Sequence, residues 1–100
     1  MLFPMPRERM LDARGRPYFL WDNDLTLEQF LERLRDSDPV VRGYCTAKLL
    51  RQARPDDALE FVTFAEIDTL WPFIEPHLGK EREFWTWLLA RWRSLRRASG

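Results

Sequence analysis

The stretch TLEQFLERLRDSDPVVRGYCTAKLLRQARP, residues 26–55, sets the architecture of this chain. Thr26 followed three residues later by Gln29 is a reciprocal cap: the hydroxyl serves a free backbone N–H at the helix start and the amide reaches back to the cap residue. Leu27, Phe30, Leu31 and Leu34 then recur at i, i+3, i+4 and i+7, which places them on one face of a helix. A first amphipathic helix is expected over about residues 26–36. Asp38 before Pro39 pairs a side-chain cap with a proline at the first helical position, where its missing N–H costs nothing. The second helix should run to about Arg54, because Pro55 cannot continue it. Its apolar stripe reads Val41, Cys45, Leu49 and Ala53, with Leu50 at the edge and with Lys48, Arg51 and Arg54 pointing the other way.

The flanks continue the helical pattern. Pro55-Asp56-Asp57 starts a short third helix to about Val62, and Thr63 with Glu66 repeats the reciprocal cap and opens a fourth through Trp71. Pro72 and Pro76 break the chain, and Gly79 permits a sharp turn into a last helix over about residues 80–97. That helix stacks Phe84, Leu88, Trp92 and Leu95 on one side, with Trp85 and Leu89 beside them. Upstream, Arg14-Gly15-Arg16-Pro17 marks a turn, and Tyr18-Phe19-Leu20-Trp21 after a proline favours extended backbone. The expected fold class is all-α: a compact bundle of about five helices behind a short extended segment, as one domain over residues 17–97 with residues 1–16 a flexible arm. The second helix has the look of one helix of a HEAT-type pair, but no repeat recurs, so a solenoid is excluded.

With 100 residues, a core is feasible without disulfides or metal. The single cysteine excludes an internal disulfide framework, and no apolar run is long enough to span a membrane. Met1 to Met10 mixes prolines and charges where a secretion signal needs a continuous apolar run, so a cytoplasmic bacterial-type protein is expected. Sixteen Lys and Arg balance sixteen Asp and Glu, but in blocks. Residues 1–21 are net basic. Residues 22–38 carry six acids (Asp22, Asp24, Glu28, Glu32, Asp36, Asp38) against Arg33 and Arg35. Residues 39–54 hold only bases, 55–79 only acids apart from His77, and 80–100 are basic again. Alternation of this kind reads as self-complementarity between neighbouring segments.

Catalytic signatures are absent from the sequence. Ser37, Ser94 and Ser99 lie in no nucleophile elbow, and Gly15, Gly43, Gly79 and Gly100 form no phosphate-cradling loop. One Cys and one His cannot complete a zinc site, and Cys45, on an apolar stripe, reads as a buried structural thiol rather than half of a dyad with His77. No catalytic residue, cofactor or metal is therefore assigned. Asp22-Asn23-Asp24 offers oxygen ligands for a hard cation such as Mg²⁺, but lacks the distal ligands of a calcium loop. The structural reading has Asp24 and Thr26 satisfying N–H groups at the helix start, while Asp22 or Asp24 forms an ion pair with Arg42 at the core margin.

Nucleic-acid binding is the alternative function. Arg91, Arg93, Arg96 and Arg97 crowd the end of the last helix, and with Lys48, Arg51 and Arg54 they would supply basic helix faces. Those terminal arginines also suit the negative end of the helix dipole, and the helix pair that mimics a helix-turn-helix carries Glu66 and Asp68 instead of bases. Five Trp, two Tyr and seven Phe exceed what a small core needs, and Trp and Tyr are favoured interface anchors. Tyr18, Trp21, Trp87 and Arg91 are the candidate partner-binding residues. Trp87 lies off the apolar stripe beside Arg91, and either faces a partner or packs beneath the Tyr18–Trp21 segment.

The run Pro17-Tyr18-Phe19-Leu20-Trp21-Asp22-Asn23-Asp24-Leu25-Thr26, with Ala47-Lys48-Leu49-Leu50, Ala53-Arg54-Pro55-Asp56-Asp57 and the Phe84-Trp85 helix, resembles a group of small, largely uncharacterised bacterial proteins. They are marked by a Phe-Leu-Trp-Asp-x-Asp-Leu-Thr stretch. The resemblance covers about residues 16–93. It implies a place beside nucleotidyltransferase toxins of the AbiEii kind, and so an antitoxin-like or accessory role. The chain departs from a typical antitoxin in showing no DNA-binding segment for autorepression. The expectation is a non-catalytic protein-interaction module, with nucleic acid the second reading and membranes excluded.

Overall fold

The computed structural model describes residues 7–20 and 25–99. It is all-α. The helices are α1 (Arg7–Met10), α2 (Leu27–Leu34), α3 (Pro39–Gln52), α4 (Pro55–Ala58), α5 (Phe64–Thr69), α6 (Trp71–Ile74) and α7 (Arg82–Ser99), with 3₁₀ turns at Tyr18–Leu20 between α1 and α2 and at Glu75–His77 and Gly79–Glu81 between α6 and α7. The caps fall where the sequence places them. At α2 the Gln29 N–H donates to Thr26 Oγ1 at 3.2 Å and the Thr26 N–H to Gln29 Oε1 at 3.0 Å. Thr63 and Glu66 repeat this at α5, and Asp38 accepts from the Val40 N–H at α3. Pro72 does not interrupt a helix; it occupies the first turn of α6, where a proline is tolerated.

Other expectations are corrected as well. Tyr18–Leu20 is a 3₁₀ turn, not extended: the Leu20 N–H closes on the Pro17 carbonyl at 3.0 Å. That turn buries both Phe19 and Leu20, which an extended strand would have pointed to opposite sides. The helical unit also begins upstream of residue 17. Met10 is 1% exposed, Leu11 bridges Pro17, and the Asp12 carboxylate accepts the N–H groups of Arg14 and Arg16 around Gly15, whose φ is +77°. The Gly15 carbonyl then takes the Leu27 N–H, one of the free donors at the start of α2. Finally, α7 buries Trp85 and Leu89, with Leu88 and Trp92 half-buried, while Phe84 and Leu95 are exposed.

The core is organised around α3. Cys45, Thr46, Ala47, Lys48, Leu49 and Leu50 are consecutive and all buried, so α3 has no wholly solvent-facing side along this turn and a half. The expectation that Lys48 points outward fails for this reason; its long apolar stem lets the residue lie inside the covering elements. At Gly43 the α6 backbone comes so close that a Cβ would lie 2.3 Å from Phe73 Cβ and 2.9 Å from the Phe73 carbonyl carbon. Glycine here is the condition for the α3–α6 contact.

The C-terminal end of α3 is closed by residues far away in sequence. In a continued helix the Arg54 N–H would serve the Leu50 carbonyl. Instead it donates to Tyr18 Oη at 2.9 Å, and the Leu50 carbonyl accepts the Trp85 indole N–H at 2.9 Å. Each free backbone group is thus paired by an aromatic side chain, one from the N-terminal turn and one from α7.

Candidate protein-interaction surface

The proposed partner-binding residues fall in different settings. Trp21 lies outside the described residues. Tyr18 keeps 37% of its surface, but its hydroxyl is turned inward, donating to Asp57 Oδ2 at 2.6 Å while accepting from the Arg54 N–H. Burial, followed by the Asp57 carboxylate, pushes the Tyr18 phenol up to about 12, against the opposing pull of the Arg54 N–H. Its ring meets Phe19 edge-on, while its hydroxyl is held by Arg54 and Asp57. Tyr18 is a clasp, and Asp57, fully buried at the start of α4, is the partner that sequence reading overlooked. Asp56 and Asp57 both lie in the first turn of α4, and the sequence reading used them only as the start of a helix, so the long-range role of the second went unseen.

Trp87 and Arg91 do stand together in the open. Trp87 is 58% exposed, and its recorded ring neighbour is Phe84 of its own helix, with centroids 6.3 Å apart. Arg91 is exposed one turn further on. With Leu95 at 64% exposure, Phe84, Trp87, Arg91 and Leu95 make an exposed aromatic and cationic strip about 16 Å long at the helical rise of 1.5 Å. Beside Trp87 lies a shallow depression lined by Glu75, Arg82, Glu83 and Thr86. Exposed Tyr44 and Phe73 form a second aromatic area, where His77 meets Tyr44 edge-on at 5.3 Å.

The bases invoked for nucleic acid are largely engaged within the chain. Lys48 is buried, Arg51 donates to the His77 carbonyl at 2.9 Å, and Arg54 pairs with Asp56 at 3.2 Å. Arg93 binds Asp68, and Arg96 covers the Trp92 ring at 5.2 Å, whose other neighbour is Phe64. Arg93 with Asp68, and Arg82 with Glu75 at 3.6 Å, join the acidic block 55–79 to the basic block 80–100, as the charge pattern implied. Arg42 is half-buried, and its guanidinium donates to the carbonyls of Asp36 and Ser37 at 2.7 and 3.2 Å. It thereby serves carbonyl groups in the α2–α3 connection; Asp22 and Asp24, its expected partners, lie outside the described residues. Burial pushes the Cys45 thiol up, the opposite of what a nucleophile requires. Among the described residues no three metal-ligating side chains converge, and no helix is long and apolar enough to cross a membrane.

Comparison of the chain with protein-family models, with curated proteins and with solved structures finds no match in any of the three.

Proposed function

We propose that this chain is a non-catalytic protein-interaction module that docks on its partner through the exposed face of α7. The observation that carries the reading is Trp87, an amphipathic aromatic left 58% exposed beside Arg91 on a rigid helix. Trp supplies large contact area with little entropy loss, Arg adds several hydrogen-bond donors on a planar cation, and both are enriched among the residues that dominate interface energetics. The resemblance of the Phe-Leu-Trp-Asp-x-Asp-Leu-Thr stretch names the partner class to test: a nucleotidyltransferase toxin, with this chain as its antitoxin-like or accessory subunit. Internal engagement of Lys48, Arg51, Arg54 and Arg93 favours a protein partner over nucleic acid as the occupant of the surface.

The test is capture from the native host with the tagged chain, washed at high salt after nuclease treatment and read by mass spectrometry. A single stoichiometric protein is expected. Trp87→Ala should reduce its recovery at least tenfold, the loss typical of an interface hot spot, with the melting temperature of the purified variant unchanged. Undiminished capture by the variant removes α7 as the docking surface, and recovery of nucleic acid alone at low salt transfers the assignment to the terminal arginines.

A further inference from the structure

The side of α7 opposite its buried Trp85 and Leu89 carries a second pattern. Glu83, Trp87, Ala90, Ser94 and Arg97 recur at intervals of four, three, four and three residues, and every one of them is exposed. That spacing averages 3.5 residues, the period at which one helix presents a continuous seam to another helix. The seam has Trp87 as its one aromatic residue and small Ala90 and Ser94 at its centre, so a facing helix can approach closely there and receive the indole. Its ends carry opposite charges. Glu83 and Arg97 lie seven residues either side of Ala90, and neither has a recorded ion-pair partner among the described residues.

We propose that a second copy of this chain covers the seam, with the two α7 helices antiparallel about Ala90. In that arrangement Glu83 of each copy meets Arg97 of the other, and this happens twice by symmetry. Trp87 of each copy lies over Ala90, Arg91 and Ser94 of the other, where the guanidinium can rest against the indole face. The same charges disfavour the parallel arrangement, since it sets Glu83 against Glu83 and Arg97 against Arg97. A single helix face buries less than the roughly 1,600 Å² of a standard stable interface, so the dimer is a weak, exchanging one that a tighter partner on α7 can displace. This inference shares with the proposed function only the assignment of α7 as an interface. Self-association is measured on the purified chain with no partner present, so either can fail alone.

Sedimentation equilibrium of the purified chain over about 5–500 µM, the range in which so small an interface associates, should show the average mass rising from that of one chain towards two. Glu83→Arg and Arg97→Glu, both at exposed positions, should each weaken association about tenfold, because two attractions become two repulsions. The double exchange Glu83→Arg with Arg97→Glu should restore it to within about threefold of the parent, since each copy then offers the reverse pair. A monomer at every concentration overturns the proposal. So does a dimer indifferent to the single reversals, or one that the double exchange leaves broken; circular dichroism of each variant separates these outcomes from loss of fold.

Discussion

The hydroxyl of Tyr18 links two groups at the end of α3, accepting from the Arg54 N–H and donating to the buried Asp57 carboxylate. Its pKa of about 12 in the folded chain stands above the value near 10 of an unfolded tyrosine. The unfolded chain therefore gives up this proton first. Stability that Tyr18 contributes below about pH 10 is lost progressively as the pH rises from 10 to 12. Tyr18→Phe should cost about 2 kcal/mol at neutral pH, the range for removing a hydrogen bond to a charged group. It should also abolish the Tyr18-specific part of the alkaline loss, read as the difference between parent and variant denaturation curves at pH 8 and pH 11. The residue was visible in the sequence as an aromatic after a proline. Its partner was not, because nothing local distinguishes Asp57 from Asp56, and the fold decides which of the two is enclosed.

At the scale of elements, what is local was legible and what is relational was not. Thr26 with Gln29, Asp38 with Pro39, and Thr63 with Glu66 act within a single turn, so their spacing alone located α2, α3 and α5. The phase of α7 was read about one residue away, towards Phe84 and Leu95, because a wheel weighs hydrophobicity and cannot see the Leu50 carbonyl that draws Trp85 inward. Lys48 was turned outward for a similar reason: burial on every side of α3 depends on which elements cover it. The α3–α6 contact supplies the sharpest test at this scale. In an isolated helix Gly43→Ala would gain about 1 kcal/mol. Here the added methyl meets Phe73 at 2.3 Å, so the substitution should destabilise by about 1–3 kcal/mol, measured by urea denaturation. A gain in stability would mean that α6 is free to move away.

For the molecule as a whole, the boundary of the folded unit is the first consequence. A chain beginning at Pro17 lacks Met10 and the turn that passes the Gly15 carbonyl to α2. It should be less stable by about 2–5 kcal/mol, the usual cost of emptying a buried methionine site, as read from its denaturation midpoint. The candidate surface was legible in part, since Trp87 and Arg91 could be seen to leave the apolar stripe, whereas the inward turn of Tyr18 could not. The closure of α3 by Tyr18 and Trp85 also has a meaning in time. These links join residues 36, 39 and 35 positions apart, so each requires a long loop to close before it contributes anything. Neither half of the chain can complete the central helix by itself. A polypeptide emerging from the ribosome therefore leaves the Leu50 carbonyl without its Trp85 partner until residue 85 is out.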